Sequence, residues 1–111
     1  MGDVRRLRPI RKHLVKAQLR LSPFVVLELQ TLYEIGRLRE TARWILESLR
    51  SDHRVEVDGD AVDAAATRAI DLSFTRDPYD RLIAAHALCT GATLLTADGN
   101  ILQHVSCARW G

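Results

Sequence analysis

Apolar residues recur along the chain in two patterns, one typical of amphipathic helices and one typical of short buried strands. Helical spacing predicts helices over residues 7–18, 23–35, 39–49 and 61–70. Brief apolar runs predict strands at residues 19–22, 55–57, 93–96 and 105–108. Short strands that alternate with helices favour an α/β domain with a short, mostly parallel sheet flanked by helices.

The segment 76–98 carries the clearest local signals. Asp77 followed by Pro78 indicates a helix start, the first as N-cap and the second as the first helical residue. Gly91 indicates the end of this helix, because glycine adopts the left-handed backbone that often follows a helix. The apolar strand at residues 93–96 comes next, so the segment reads as a helix followed by a strand.

Three acids along the chain are candidate site residues. Asp80 lies at the start of this helix, and Asp98 directly follows the strand. A helix followed by a strand brings both towards the carboxyl edge of a parallel sheet, where α/β proteins keep their sites. Glu28 lies in the otherwise apolar run 24–29, where a buried charge must be paired or bound to a metal. Each also has a structural interpretation: Glu28 facing solvent, Asp80 complementing the helix dipole, and Asp98 in a turn.

Taken together, the three acids predict a divalent cation site. Carboxylates crowded at one edge have raised pKa values and destabilise the fold, and a divalent ion removes that penalty. Ligation by Asp and Glu oxygens alone suits Mg²⁺ or Mn²⁺ rather than Zn²⁺. The expected chemistry is phosphodiester hydrolysis by an activated water. Asp77 is a supporting residue, and Arg81 either neutralises the cluster, contacts phosphate or is simply solvated. The histidines show no paired ligand spacing.

Composition and charge add less. A chain of 111 residues with ordinary globular composition predicts a single domain over residues 1–111. The net charge of +2 does not by itself indicate nucleic-acid binding. The first twenty positions are nevertheless basic, with Asp3 as their one acid, which suits phosphate contact or a solvated helix face. Cys89 and Cys107 are expected to be reduced in a cytoplasmic protein, and no apolar run is long enough for a membrane span.

Two segments resemble the PIN-domain family, and in particular its VapC-type toxins. Residues 22–38 look like the second motif of the family, with its acid at Glu28. Residues 76–98 look like the third and fourth motifs, with acids at Asp80 and Asp98. The resemblance implies a three-layer fold and a ribonuclease in which these three acids are catalytic and bind Mg²⁺ or Mn²⁺. It also implies an RNA substrate, a cognate antitoxin protein and a homodimer.

The resemblance further implies that the domain is N-terminally incomplete. Members of the family normally begin with a hydrophobic strand that ends in the first catalytic aspartate. Residues 1–7 resemble the stretch just after that strand, so the first, central strand is expected to be missing, with Asp3 a poor substitute. Weak or absent turnover is the expected consequence. Three functions stay open: an endoribonuclease toxin, a non-catalytic interaction module of the same fold, and a nucleic-acid binder that uses its basic N-terminal helix.

Overall fold

The computed structural model describes residues 19–110, which fall into two compact units that divide after Asp58. Within the described residues, each unit contains helices and one pair of short parallel strands. The structure thereby confirms the α/β class and the parallel pairing expected from the sequence. The helix predicted over residues 7–18 lies outside the described residues, and the single-domain organisation stays a prediction. No helix in the described part is long and apolar enough to cross a membrane.

In the described part of the first unit, two helices lie between two paired strands in chain order. Its elements are β1 (Arg20–Leu21), α1 (Pro23–Glu34), α2 (Ala42–His53) and β2 (Glu56–Val57). The two strands run parallel, with Leu21 opposite Val57. Beyond the strands, the backbone N–H of Asp58 donates to the carbonyl of Leu21 over 2.9 Å, and its carboxylate pairs with Arg20 over 2.9 Å. These contacts extend the pairing of the two strands beyond Val57.

Hydroxyl caps start both helices of the first unit. The Ser22 Oγ accepts a hydrogen bond from the Phe24 N–H over 3.3 Å, which begins α1 where the sequence predicted. The Thr41 Oγ1 accepts from the Trp44 N–H over 3.1 Å, so α2 begins after Thr41 and not near residue 39. The sequence interpretation was wrong by several residues at both ends of α2, because the apolar stripe does not mark the cap.

The core of the first unit lies between α1 and α2. Its buried members are Leu29, Ala42 and Ile45, and the partly buried side chains packed against them are Val25, Leu38 and Leu49. Ile45 is 1% exposed and is the largest fully buried side chain in the described part of the chain. Burial of these side chains fixes the face that each helix turns inward.

The second unit contains the signature segment. Its elements are α3 (Val62–Arg68), a 3-10 helix (Ala69–Asp71), α4 (Pro78–Thr90), β3 (Leu94–Leu95), α5 (Gly99–His104) and β4 (Ala108–Arg109). β3 and β4 are parallel, with Leu94 opposite Ala108. The last strand begins later than residues 105–108 predicted, because the unpredicted helix α5 precedes it. That helix is too short to show a hydrophobic period.

Small residues dominate the buried face of α4. Ala84, Ala85 and Ala87 are all buried, and Ala84 belongs to a core cluster with Ile101, Val105 and Ala108. Small side chains allow neighbouring backbones to approach closely, so the helix is held firmly against its surroundings. The buried His86 adds a hydrogen bond between its Nε2 and the carbonyl of Asp60. The middle of α4 is therefore attached to a well-packed scaffold.

The core position of Ile45 is testable. Ile45→Ala is expected to lower the free energy of unfolding by about 2–5 kcal/mol, because it leaves a cavity between α1 and α2. Urea denaturation followed by circular dichroism measures the loss. Ile35 is 60% exposed and provides the matched control, with Ile35→Ala expected to change stability by less than about 0.5 kcal/mol. Similar losses in the two variants would contradict the assigned core.

Candidate metal centre

The first turn of α4 presents two carboxylates. Asp77 is the N-cap, and its Oδ1 accepts hydrogen bonds from the N–H groups of Tyr79 over 2.9 Å and Asp80 over 3.3 Å. Pro78 occupies the first helical turn, where its missing N–H costs nothing. Asp77 is exposed and Asp80 half-buried. The cap therefore fixes the backbone that carries Asp80.

Asp98 is held in the same way at the start of α5. Its Oδ1 accepts from the N–H groups of Asn100 over 2.9 Å and Ile101 over 3.1 Å. The sequence predicted that Asp98 is a loop residue after a strand. The structure shows that it is also the N-cap of α5. Capping satisfies backbone donors that a helix leaves unpaired and also orients the carboxylate.

One turn structure precedes both capping aspartates. The Thr75 Oγ1 accepts from the Asp77 N–H over 3.2 Å, and the Thr96 Oγ1 accepts from the Asp98 N–H over 3.1 Å. Each threonine lies two residues before its aspartate, so the sequence Thr-x-Asp occurs at both places. The sequence interpretation missed Thr75. The repeated Thr-x-Asp spacing is the signal that could have identified it.

The electrostatics link the acids of the second unit. Burial raises the pKa of Asp80 above its usual value, and the charges of Asp77 and Asp98 raise it further. Because both neighbouring charges act on Asp80, the three residues form one group, here called the aspartate cluster (Asp77, Asp80 and Asp98). The structure thus places Asp77 beside Asp80, and Asp98 near enough for its charge to act on Asp80.

The aspartate cluster fits a hard divalent cation in the kind of donor it offers. All its donors are carboxylate oxygens, which Mg²⁺ and Mn²⁺ prefer. The capping bonds of Asp77 and Asp98 use Oδ1 in each case, so those bonds do not occupy either Oδ2. Mg²⁺ keeps several water ligands and commonly needs only one or two protein carboxylates. A bound cation would also offset the repulsion that raises the pKa of Asp80.

Glu28 belongs to the first unit. It lies on α1, half-buried, between the exposed Leu27 and the buried Leu29. The exposure of Glu28 is therefore intermediate between the two alternatives considered from the sequence, a buried charge and a charge that faces solvent. The role of Glu28 as a ligand together with Asp80 and Asp98 stays a prediction.

A structural role explains Arg81. Its Nε donates to the carbonyl of Ala69 over 3.0 Å, and its Nη2 donates to the carbonyl of Ile70 over 2.8 Å. These carbonyls lie in the 3-10 helix, where a guanidinium satisfies acceptors that the short helix leaves open. The side chain therefore ties α4 to the segment that follows α3, and neither neutralisation of the acids nor phosphate contact is needed to account for it.

Removal of the Asp80 charge is expected to stabilise the protein when no divalent cation is present. A carboxyl whose pKa is raised on folding opposes folding in its charged form, so this cost is present above the folded pKa and disappears as the pH falls through it. Asp80→Asn should therefore raise the melting temperature at neutral pH in EDTA. The gain should shrink as the pH approaches the ordinary carboxyl pKa of about 4.

Asp63→Asn is the matched control for this measurement. Asp63 is also a first-turn acid, on α3, but it is exposed, so its removal tests the helix-dipole contribution alone. No stabilisation is expected from it. A lower melting temperature for Asp80→Asn than for the unmodified protein at neutral pH would contradict the described crowding.

Comparison with known proteins identifies the family of the chain. The model of the PIN domain family matches residues 3–106, a range that spans both units and includes Glu28, Asp80 and Asp98. No curated protein and no solved structure matches the chain. Since the family match covers most of the sequence and runs through the aspartate cluster, the chain belongs to the PIN domain family.

Proposed function

We propose that this chain is a metal-dependent endoribonuclease of the VapC toxin type that hydrolyses RNA phosphodiesters. The PIN fold is generally a nuclease fold, and PIN domains typically use divalent metal ions. The proposal rests on this family match together with the position of Asp80 beside the capping carboxylate of Asp77, where burial and the neighbouring charges raise the pKa of Asp80. Crowded carboxylates destabilise a fold, and a cation that they bind offsets this cost.

In the proposed site Glu28, Asp80 and Asp98 are the catalytic residues and hold Mg²⁺ or Mn²⁺. The bound ion would lower the pKa of a water and balance the charge of the RNA phosphate. Asp80 and Asp98 contribute carboxylates whose backbones are fixed at helix starts, so little rearrangement is needed on binding. Asp77 supports them by capping α4. RNA is repelled by the uncompensated acids, and its approach therefore depends on the cation.

We also propose a cytoplasmic location, where RNA is available, and two protein partners, a cognate antitoxin and a second copy of the chain. The first unit exposes large apolar side chains, with Leu27 and Ile35 each 60% exposed and Trp44 49% exposed. A contiguous apolar patch favours a protein interface, and these side chains are the candidates for one. They also favour the alternative function, a non-catalytic PIN-fold interaction module that binds an antitoxin or itself.

The metal site is tested by titration with Mn²⁺ followed by electron paramagnetic resonance. The unmodified protein is expected to bind Mn²⁺ saturably, and Asp80→Asn and Asp98→Asn should weaken binding by about tenfold or more. Asparagine retains a side-chain oxygen for capping, so Asp98→Asn removes charge without removing the helix cap. Asp63→Asn, which lies on another helix, should leave the affinity unchanged.

The same proteins distinguish the enzyme from the interaction module. Cleavage of single-stranded RNA is expected to be weak at most, to require Mn²⁺ or Mg²⁺, and to be lost in Asp80→Asn and Asp98→Asn. Cleavage that survives both substitutions would indicate a contaminating nuclease and count against the proposal. Saturable Mn²⁺ binding without cleavage of any tested RNA would favour the non-catalytic module.

Self-association is tested by light scattering on a sizing column. The unmodified protein is expected to elute with about twice the mass of one chain at micromolar concentration, and Leu27→Glu should convert it to monomer because a charge would enter the apolar interface. Ile70, which is 72% exposed in the second unit, gives the control Ile70→Glu, expected to remain a dimer. A monomeric unmodified protein would remove the homodimer from the proposal and leave the antitoxin as the partner for this surface.

A further inference from the structure

We propose that Asn100 is a positioning residue for the aspartate cluster, because it joins the turn that carries Asp77 to the turn that carries Asp98. This inference rests on the proposed metal site. It concerns a residue that contacts the cluster through hydrogen bonds and is not itself assigned as a ligand.

Asn100 is hydrogen-bonded to both turns. Its backbone N–H donates to the Oδ1 of Asp98 over 2.9 Å, and its side-chain Nδ2 donates to the carbonyl of Phe74 over 3.2 Å. Phe74 directly precedes Thr75, whose hydroxyl accepts from the N–H of Asp77. A single side chain therefore connects two parts of the cluster that are far apart in the sequence.

The loop that receives this hydrogen bond has a second attachment to the same helix. The ring of Phe74 stacks on the ring of His104, with centroids 6.0 Å apart and an interplanar angle of 16°. Phe74 also packs against the core cluster of the second unit. His104 is fixed in turn, since its Nδ1 is hydrogen-bonded to the carbonyl of Asn100 over 2.9 Å. Helix α5 thus contacts the loop through the stacked ring of His104 and through the side-chain amide of Asn100.

In the proposed site, this connection fixes the distance between the carboxylates of the cluster. Thr75 and Asp77 precede the first turn of α4, so movement of residue 74 shifts the start of the helix that carries Asp80. Asp98 moves with α5. When Asn100 bridges the two, the carboxylates keep one spacing, which a cation with short, fixed ligand distances requires. Asn100 is exposed, so its loss removes the bridge without opening the core.

The test compares Mn²⁺ affinity and melting temperature in matched variants. Asn100→Ala should weaken Mn²⁺ binding by about tenfold, the usual effect of losing a partner that orients metal ligands. Its melting temperature should stay close to that of Gln103→Ala, an exposed position on the same helix that should keep the original affinity. Excess Mn²⁺ should still saturate the site in Asn100→Ala, which a misfolded protein would not allow.

The other end of the connection gives an independent pair of variants. Thr75→Val preserves the shape of the side chain but removes the oxygen that accepts from Asp77, and should weaken Mn²⁺ binding, whereas Thr75→Ser should restore it. Equal Mn²⁺ affinity in the unmodified protein, Asn100→Ala and Thr75→Val would overturn this inference alone. Absence of Mn²⁺ binding by the unmodified protein would overturn the proposed metal site and this inference with it.

Discussion

Negative charge is concentrated at two helix starts in the second unit, and the helices themselves help to hold it there. The N–H groups at the starts of α4 and α5 are satisfied by the carboxylates of Asp77 and Asp98, and the positive ends of the helix dipoles favour such charges. Asp80 is also stabilised by the dipole of α4. Burial and two neighbouring charges nevertheless raise its pKa, so repulsion and desolvation outweigh the dipole at this position. A divalent cation, of the kind that PIN domains typically use, would balance this repulsion.

The packing of the second unit explains how such a cluster keeps its shape. Buried alanines allow α4 to approach its neighbours closely, and the core cluster around Ala84 includes Ile101 of α5. The two helices that begin with acids therefore share one core. The first unit has different properties, with exposed side chains such as Leu27 and Trp44 that suit a protein partner.

Local signals in the sequence were enough for most of the fold. Ser22 before a proline predicted the start of α1, and Asp77 with Pro78 predicted the start of α4, because caps act through neighbouring backbone groups. Gly91, with φ +68°, follows α4 as expected for a residue in the left-handed region. The acids Asp80 and Asp98 were also identified from their positions next to predicted elements. Their grouping was inferred from the order of helix and strand alone.

The sequence by itself therefore determined the α/β class, the main helices and the identity of the candidate acids. Each of these depends on hydrophobic periodicity or on neighbouring residues. Only the tertiary structure gave the short helix after Asp98, the use of Arg81 to hold the 3-10 helix, and the bridge from Asn100 to Phe74. These features depend on contacts between residues distant in the chain or on elements too short for a hydrophobic period. The raised pKa of Asp80 belongs to the same class, because burial and the approach of a distant charge exist only after the chain has folded.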